Sequence, residues 1–431
     1  MKLVISLFLL VELIGLTLAQ AKVQNANIEP ELVVPNSYII KYKSKASSSS
    51  KKKHEKAIHK KAKSKGKEGI VDNIDLDGFK GYVAEIPSSE LQEVIDSDLV
   101  SYSDLEPWRF GAELSIQVDY IEQDTIVNVS AVAAPSLGPI TKRGYTSQTS
   151  APWGLARISQ VYSEKGVDAR YSYDATAGAG STVYVLDSGI RTTHKEFEGR
   201  ALWGANFISG SPDTDEYGHG THVAGTVGGK TYGVAKGCRI YAVKVIDKNG
   251  SGTMSNTLQG LQWAVNHAKS RGITKTSIIN ASLGGPYTKI GNAAVKAATD
   301  LGITIVVSAG NDGTDAADYS PASAPSAITV AAIDSASYRT LWSNYGSVVD
   351  IFAPGSDILS AGHLSDSSSV YKSGTSMAAP HVAGLAAYFM AKEGLRGSVA
   401  VTKRIIAAAD TTAVGYAVDS PQRVAYNGGG K

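Results

Sequence analysis

Between Ser181 and Ile333 five short, almost wholly apolar runs alternate with stretches of helical periodicity, and no other feature limits the fold so tightly. The runs cover residues 181–186, 239–246, 276–281, 303–308 and 327–333. They do not alternate apolar with polar side chains, which is how strands buried on both faces read. Between them, residues 256–270 carry Leu258, Leu261, Val265 and Ala268 at helical spacing and close at Gly272. Residues 292–301 make a second such segment. Strands in alternation with helices predict an α/β fold, a parallel sheet with helices on both faces. Ligands gather beyond the carboxyl ends of such strands, so the loops there are where chemistry is to be sought.

Much of the chain lies ahead of this region. The first 21 residues read as a secretory signal: Lys2, then an apolar run from Leu3 to Leu18 broken only by Glu12, then Ala19 and Ala21 at an A-x-A cleavage site. That run is short for a membrane anchor and holds an acid, so the expectation is a secreted, extracellular protein with no membrane partner. Residues 36–120 read as a small α/β unit with strands at 37–42 and 81–86. Lysines crowd residues 41–67 although the net charge of the chain is only +2. They are read as a solvated loop and an exposed helix face, not as a nucleic-acid patch. Residues 121–150, with Pro135, Pro139 and the dibasic pair Lys142-Arg143, read as a linker. A second compact domain runs from about Trp153 to Asn427. At 431 residues and 43% hydrophobic the chain has material for two domains. Its one cysteine, Cys238, can form no intramolecular disulfide and reads as a buried apolar filler. Sequons stand at Asn128, Asn249 and Asn280. Asn280 falls in a buried strand, and a glycan on Asn249 would crowd a cleft, so neither is expected to be modified.

Three glycine-rich loops carry chemically useful residues. Asp187 follows directly on the first buried run, in Val183-Tyr-Val-Leu-Asp187-Ser-Gly189. His219 lies in Tyr217-Gly-His219-Gly-Thr-His222, and a zinc pair with His222 is disfavoured because Gly220 stands where H-E-x-x-H needs glutamate. Ser376 opens an apolar helix in Ser373-Gly-Thr-Ser376-Met-Ala-Ala-Pro-His381, where free N–H groups and the helix dipole stabilise negative oxygen. A serine hydroxyl needs an adjacent base, histidine can supply it near neutral pH, and a buried aspartate can orient the imidazole. Each loop alone has an ordinary reading as a cap or turn. Together they point to nucleophilic catalysis at a carbonyl.

The motifs Asp187-Ser-Gly, Gly218-His-Gly-Thr-His222 and Gly374-Thr-Ser-Met-Ala-Ala-Pro380 resemble the three signatures of the subtilisin family, whose triad order is Asp, His, Ser. Trp153-Gly-Leu-Ala-Arg-Ile158, Thr231-Tyr-Gly-Val-Ala-Lys236 and Asn344-Tyr-Gly-Ser347 are most similar to proteinase K and related secreted fungal proteases, some of which degrade cuticle. The resemblance implies a subtilisin-like α/β domain at 146–431, preceded by a signal peptide at 1–21 and an inhibitory α/β propeptide with its linker at 22–145. It implies a monomeric serine endopeptidase with Asp187, His219 and Ser376 as triad and Asn311 as oxyanion donor in Ser308-Ala309-Gly310-Asn311. Gly250, Ser251 and Gly252 on one side, and Ser282, Leu283 and Gly284 on the other, are implied to be the edges that hold an extended protein substrate. Ala309 and Gly310 are implied substrate contacts as well. Neither edge bears a charge, so broad preference for apolar and aromatic residues follows. A structural Ca²⁺ is implied on Asp350 and the carbonyls of Pro325 and Ala327, with no cofactor for the chemistry. The chain departs from the proteinase K pattern at Val223, Thr182 and Ile328, where cysteines stand in those relatives. Propeptide cleavage is expected after Arg143 or Tyr145.

A lipase of the α/β-hydrolase type is excluded, because it needs G-x-S-x-G with Asp and His after the serine. A catalytically inactive binding protein on the same scaffold is the alternative, and it would be expected to have lost a triad residue; none is lost.

Overall fold

The computed structural model describes residues 23–44, 46–63, 66, 68–91, 118–129, 146–161, 168–412 and 414–429. The signal segment 1–21 and the cleavage positions Lys142, Arg143 and Tyr145 lie outside the described residues. Two units are built from them.

In the amino-terminal unit, strands β1 (Val33–Tyr42), β2 (Gly69–Leu76), β3 (Phe79–Glu85) and β4 (Val118–Asn128) pair antiparallel in the order β4-β1-β3-β2. Ile39 stands opposite Val83 on one side and Glu122 on the other. Helix α1 (Ser48–Lys63) covers one face of this sheet, turning His54, Ile58 and Ala62 inward at four-residue spacing. Lys52, Lys56 and Lys60 stay exposed, so the lysine run is a solvated helix face, as its composition predicts. The linker reading needs correction, because residues 121–128 belong to β4 and are largely buried. They look polar for a strand because Glu122 and Asp124 have partners in the other unit.

The larger unit holds a seven-stranded sheet. Its strands are β5 (Thr182–Asp187), β6 (Ala201–Asn206), β7 (Arg239–Lys244), β9 (Ser277–Ala281), β10 (Thr304–Ser308), β11 (Ile328–Ile333) and β12 (Ile351–Pro354); the short β8 (Ser251–Thr253) stands apart. Their order is β12-β11-β10-β9-β5-β7-β6 and every pairing is parallel. All residues of β5, β9, β10 and β11 are buried, which is why those runs carry no alternation. Helices α2 (His219–Gly228), α5 (Thr375–Glu393) and α6 (Ser398–Ala408) pack on one face. Helices α3 (Met254–Ser270) and α4 (Lys289–Asp300) pack on the other, capped by the hydroxyls of Thr253 and Thr288. The outer face of α3 and α4 is in turn covered by the amino-terminal sheet, whose Ile39, Ile74, Leu76 and Phe79 join the same core.

Candidate active site

Asp187 is the last residue of the interior strand β5, and α2, α5 and the loop after β10 all meet at that carboxyl end. His219 Nδ1 donates to both oxygens of Asp187, at 2.8 and 2.9 Å. Asp187 also accepts from the Ser188 N–H at 2.7 Å. Both side chains are fully buried, and His219 Nε2 is a buried nitrogen with no hydrogen-bond partner. The two loops touch closely: a side chain at Gly220 would fall 2.0 Å from the Gly189 carbonyl oxygen, so only glycine fits there.

Ser376 sits in the first turn of α5, where backbone N–H groups have no intrahelical acceptor. Its hydroxyl donates to the Ser282 carbonyl at 3.1 Å and makes no hydrogen bond to His219. Pro380 explains part of this arrangement. Lacking an N–H, it leaves the Ser376 carbonyl without its helical donor, and Ser282 Oγ donates there instead at 2.9 Å.

Asn311 stands beside this pair. Its Oδ1 accepts from Thr375 N at 2.8 Å and from Thr375 Oγ1 at 2.9 Å, which fixes the amide and turns its NH₂ away from Thr375. Gly310, at φ 105°, donates to Thr375 Oγ1, and a side chain there would strike Asn344. Asn344 itself donates to the Ala309 carbonyl and accepts from the N–H groups of Asp312 and Thr314. A cavity of about 240 Å³ is bordered by Ser376, Asn311, Leu283, Gly310, Asp312 and Ala322. A larger cavity of about 420 Å³, walled by Trp153, Tyr232, Tyr371 and His381, touches none of the residues expected to carry the chemistry.

Two residues that sequence reasoning missed hold the histidine loop. Asp215 is buried, and its Oδ1 accepts from Ser188 Oγ (2.8 Å), Gly218 N (2.7 Å) and Tyr217 N (3.2 Å). Its Oδ2 accepts from Thr221 N (2.8 Å) and Thr221 Oγ1 (2.6 Å), so one carboxylate ties the start of α2 to the Asp187 loop. Lys244, also buried, donates to the carbonyls of Ser188 and Thr214. His222 points away from Asp187: its Nε2 donates to the carbonyls of Ile358 and Val370, and burial holds its pKa down to about 3. Burial likewise holds His381 at about 4, and pushes the Cys238 thiol up to about 12, which leaves it unreactive.

The two edges lie on either side of β4. Ser251, Gly252 and Thr253 pair antiparallel with Asn128, Val127 and Ile126. The Asn128 N–H donates to the Gly284 carbonyl at 2.9 Å, the Gly284 N–H donates back at 3.2 Å, and Val129 N donates to the Gly250 carbonyl at 3.1 Å. Two acids secure this docking. Glu122 accepts from the N–H groups of Lys289 and Ile290 at the start of α4. Asp124 accepts from Ser255 N and Oγ at the start of α3. Burial raises both carboxyl pKa values.

The Asp350 group is compatible with a hard cation. Asp350 Oδ2 accepts from Thr329 N at 2.8 Å, Oδ1 lies outside that pairing, and burial raises the carboxyl pKa. Pro325 and Ala327 stand just ahead of β11, and Asp350 stands just ahead of its parallel neighbour β12. Among the described residues no three His, Cys, Asp or Glu side chains cluster as a metal site. No helix among them is long and apolar enough to cross a membrane.

The subtilase family model matches residues 178–423. Subtilisin-like protease 2 of Pseudogymnoascus destructans is 45% identical over 362 residues, spanning 84% of this chain and 81% of that protein. The cuticle-degrading serine protease of Arthrobotrys oligospora is 42% identical, spanning 81% and 78%. Among solved structures, a cold-adapted subtilisin-like serine proteinase superposes with a TM-score of 0.60 at 38% identity, covering 64% of this chain and 98% of that one.

Proposed function

The chain belongs to the subtilase family and is a serine endopeptidase, and on that premise we propose that Asp187, His219 and Ser376 are its catalytic triad. The observation that carries the reading is the buried Asp187–His219 pair, with Nδ1 held by the carboxylate and Nε2 left without a partner. In this reading the Ser376 hydroxyl leaves the Ser282 carbonyl by rotation about its Cα–Cβ bond and turns to His219 Nε2. His219 takes the hydroxyl proton as Ser376 Oγ attacks the peptide carbonyl, then returns it to the departing amine. Asp187 holds the tautomer and balances the imidazolium. The Asn311 amide and the Ser376 N–H bind the oxyanion; the anchoring of Asn311 Oδ1 on Thr375 is what aims that amide. Water then resolves the acyl-enzyme.

Substrate lies as an extended strand between Gly250–Gly252 and Ser282–Gly284, with Ala309 and Gly310 beside the reacting bond. The strand β4 already occupies that place, which supports residues 22–145 as an inhibitory propeptide; in this reading residues 1–21 are a secretory signal and 146–431 the secreted, monomeric enzyme. The small, largely uncharged cavity supports preference for apolar and aromatic side chains, although its wall includes Asp312. Calcium held by Asp350, Pro325 and Ala327 would tie the segment ahead of β11 to the segment ahead of β12 and take no part in the chemistry. The mature wild type should hydrolyse casein and Ser376→Ala should not; casein hydrolysis by a pure Ser376→Ala preparation would overturn the triad.

A further inference from the structure

We propose that Asn280 is a positioning residue for the reaction. Acting through the Ser282 hydroxyl, it holds the Ser376 main chain in place while the Ser376 side chain turns to His219. The inference rests on the triad reading above.

Asn280 lies in β9, opposite Val185 on one side and Val306 on the other, in a strand whose every residue is buried. Its Nδ2 donates to Ser282 Oγ at 2.9 Å, and its Oδ1 is a buried oxygen with no hydrogen-bond partner. A buried acceptor left unpaired weakens a fold, so its presence in a central strand calls for a role elsewhere. The same pair forms the sequon Asn280-Ala-Ser282, and here its amide and hydroxyl are fully buried and bonded to each other.

The Ser282 hydroxyl has one proton to give. Because Asn280 meets it with a donor, that proton goes to the Ser376 carbonyl, at 2.9 Å. An amide turned the other way would set Oδ1 in competition for the same proton. The Ser376 carbonyl would then lose its donor, since Pro380 has no N–H to offer it. Two bonds therefore join Ser282 to Ser376, and they have different fates. The bond from Ser376 Oγ to the Ser282 carbonyl breaks when the hydroxyl turns to His219 Nε2. The bond from Ser282 Oγ to the Ser376 carbonyl survives that turn. It keeps the Ser376 Cα and N–H, the latter an oxyanion donor in the proposed mechanism, where charge develops. Its loss falls on the chemical step and not on the binding of substrate.

The test compares mature wild type, Asn280→Ala, Ser282→Ala and the double variant on a peptide substrate, with active sites counted by fluorophosphonate label on Ser376. Thermal midpoints are read for the same substitutions in the Ser376→Ala chain. Each single variant should lower kcat roughly 10–100-fold with KM within about twofold of wild type. The double variant should fall no further than the lower single, within about threefold, because both residues act through one bond. The midpoint of Asn280→Ala should stay near that of its parent, because the unpaired oxygen leaves with the amide. Asn280→Val refills the space without a donor and should repeat the loss of kcat, which covers the case in which the alanine cavity lowers the midpoint. Wild-type kcat in any single variant would overturn the proposal. So would losses that multiply in the double variant, or a fall in midpoint that accompanies the fall in kcat for both alanine and valine at 280. Those outcomes leave the triad standing; label on a serine other than Ser376 would overturn both.

Discussion

Replacing Asp215 by asparagine changes one atom, and the structure says which hydrogen bonds it breaks. Both carboxylate oxygens are fully used, one by Ser188, Tyr217 and Gly218, the other by Thr221. An amide must set an NH₂ against one of these groups of donors. The cheaper choice faces Thr221, whose hydroxyl can accept from the amide with its second lone pair beside the bond from Arg191 N at 2.9 Å, whereas its backbone N–H cannot reverse. The Thr221 N–H is then a buried donor without an acceptor, costing about 1–3 kcal/mol, and the remaining bonds lose the strength that charge gave them. A total of about 2–4 kcal/mol corresponds to a fall in thermal midpoint of roughly 5 °C for a domain of this size. The damage lies at the first turn of the helix that carries His219, and misplacing a catalytic group by about 1 Å can cost on the order of 10² in rate. Scanning calorimetry in a Ser376→Ala background, which prevents self-digestion, measures the first effect. Steady-state cleavage of a chromogenic peptide by Asp215→Asn alone measures the second, with kcat falling and KM nearly constant. A midpoint and a kcat both equal to wild type would refute the reasoning.

Asn311→Asp keeps the oxygen that Thr375 needs but loses the amide donor, so kcat should fall by about 10²–10³ with little change in midpoint; that magnitude is the one established for subtilisin and is not worked from this geometry. Unchanged kcat would remove Asn311 from the oxyanion site. His222 and His381 stay neutral in the fold down to about pH 3 and about pH 4, whereas the unfolded chain protonates them below about pH 6.5. The unfolded state then binds more protons, so stability present above that pH is lost as pH falls, by up to about 1.4 kcal/mol per pH unit for each histidine. Urea unfolding of the Ser376→Ala chain at a series of pH values should show this slope, and His222→Gln should lessen it; a flat curve below pH 6.5 would contradict the account. Removing calcium with a chelator should lower the midpoint of the Ser376→Ala chain but not that of the same chain carrying Asp350→Asn, and equal shifts in the two would dismiss the Asp350 site.

The central strands were legible because burial on both faces leaves unbroken apolar runs, and their observed bounds fall within one residue of the expected ones at all but one end. The edge strands β6 and β12 were missed. Residues of β6 are mostly half-exposed, and β12 is four residues long and ends in Pro354, so neither gives a period or a run to read. The carboxyl-terminal part of β4 was read as a linker because Glu122 and Asp124 suggest solvent. Their burial comes from helix starts more than 120 residues further along the chain, which no local window includes. Asp187, His219 and Ser376 stood out because each lies in a glycine-rich loop at the sheet's carboxyl end. Asp215 carried a signal that went unused, an acid just ahead of a helix, which is a frequent cap. Asn344 gave none, because its bonds to residues 309–314 arise from the tertiary fold.

The most direct test of the triad is covalent labelling of the mature enzyme with a fluorophosphonate, in which an activated serine oxygen displaces fluoride from phosphorus. Peptide mass spectrometry should find one phosphonylated residue, Ser376, with labelling lost in His219→Ala. Label on any other serine, or undiminished label on Ser376 without the histidine, would contradict the mechanism.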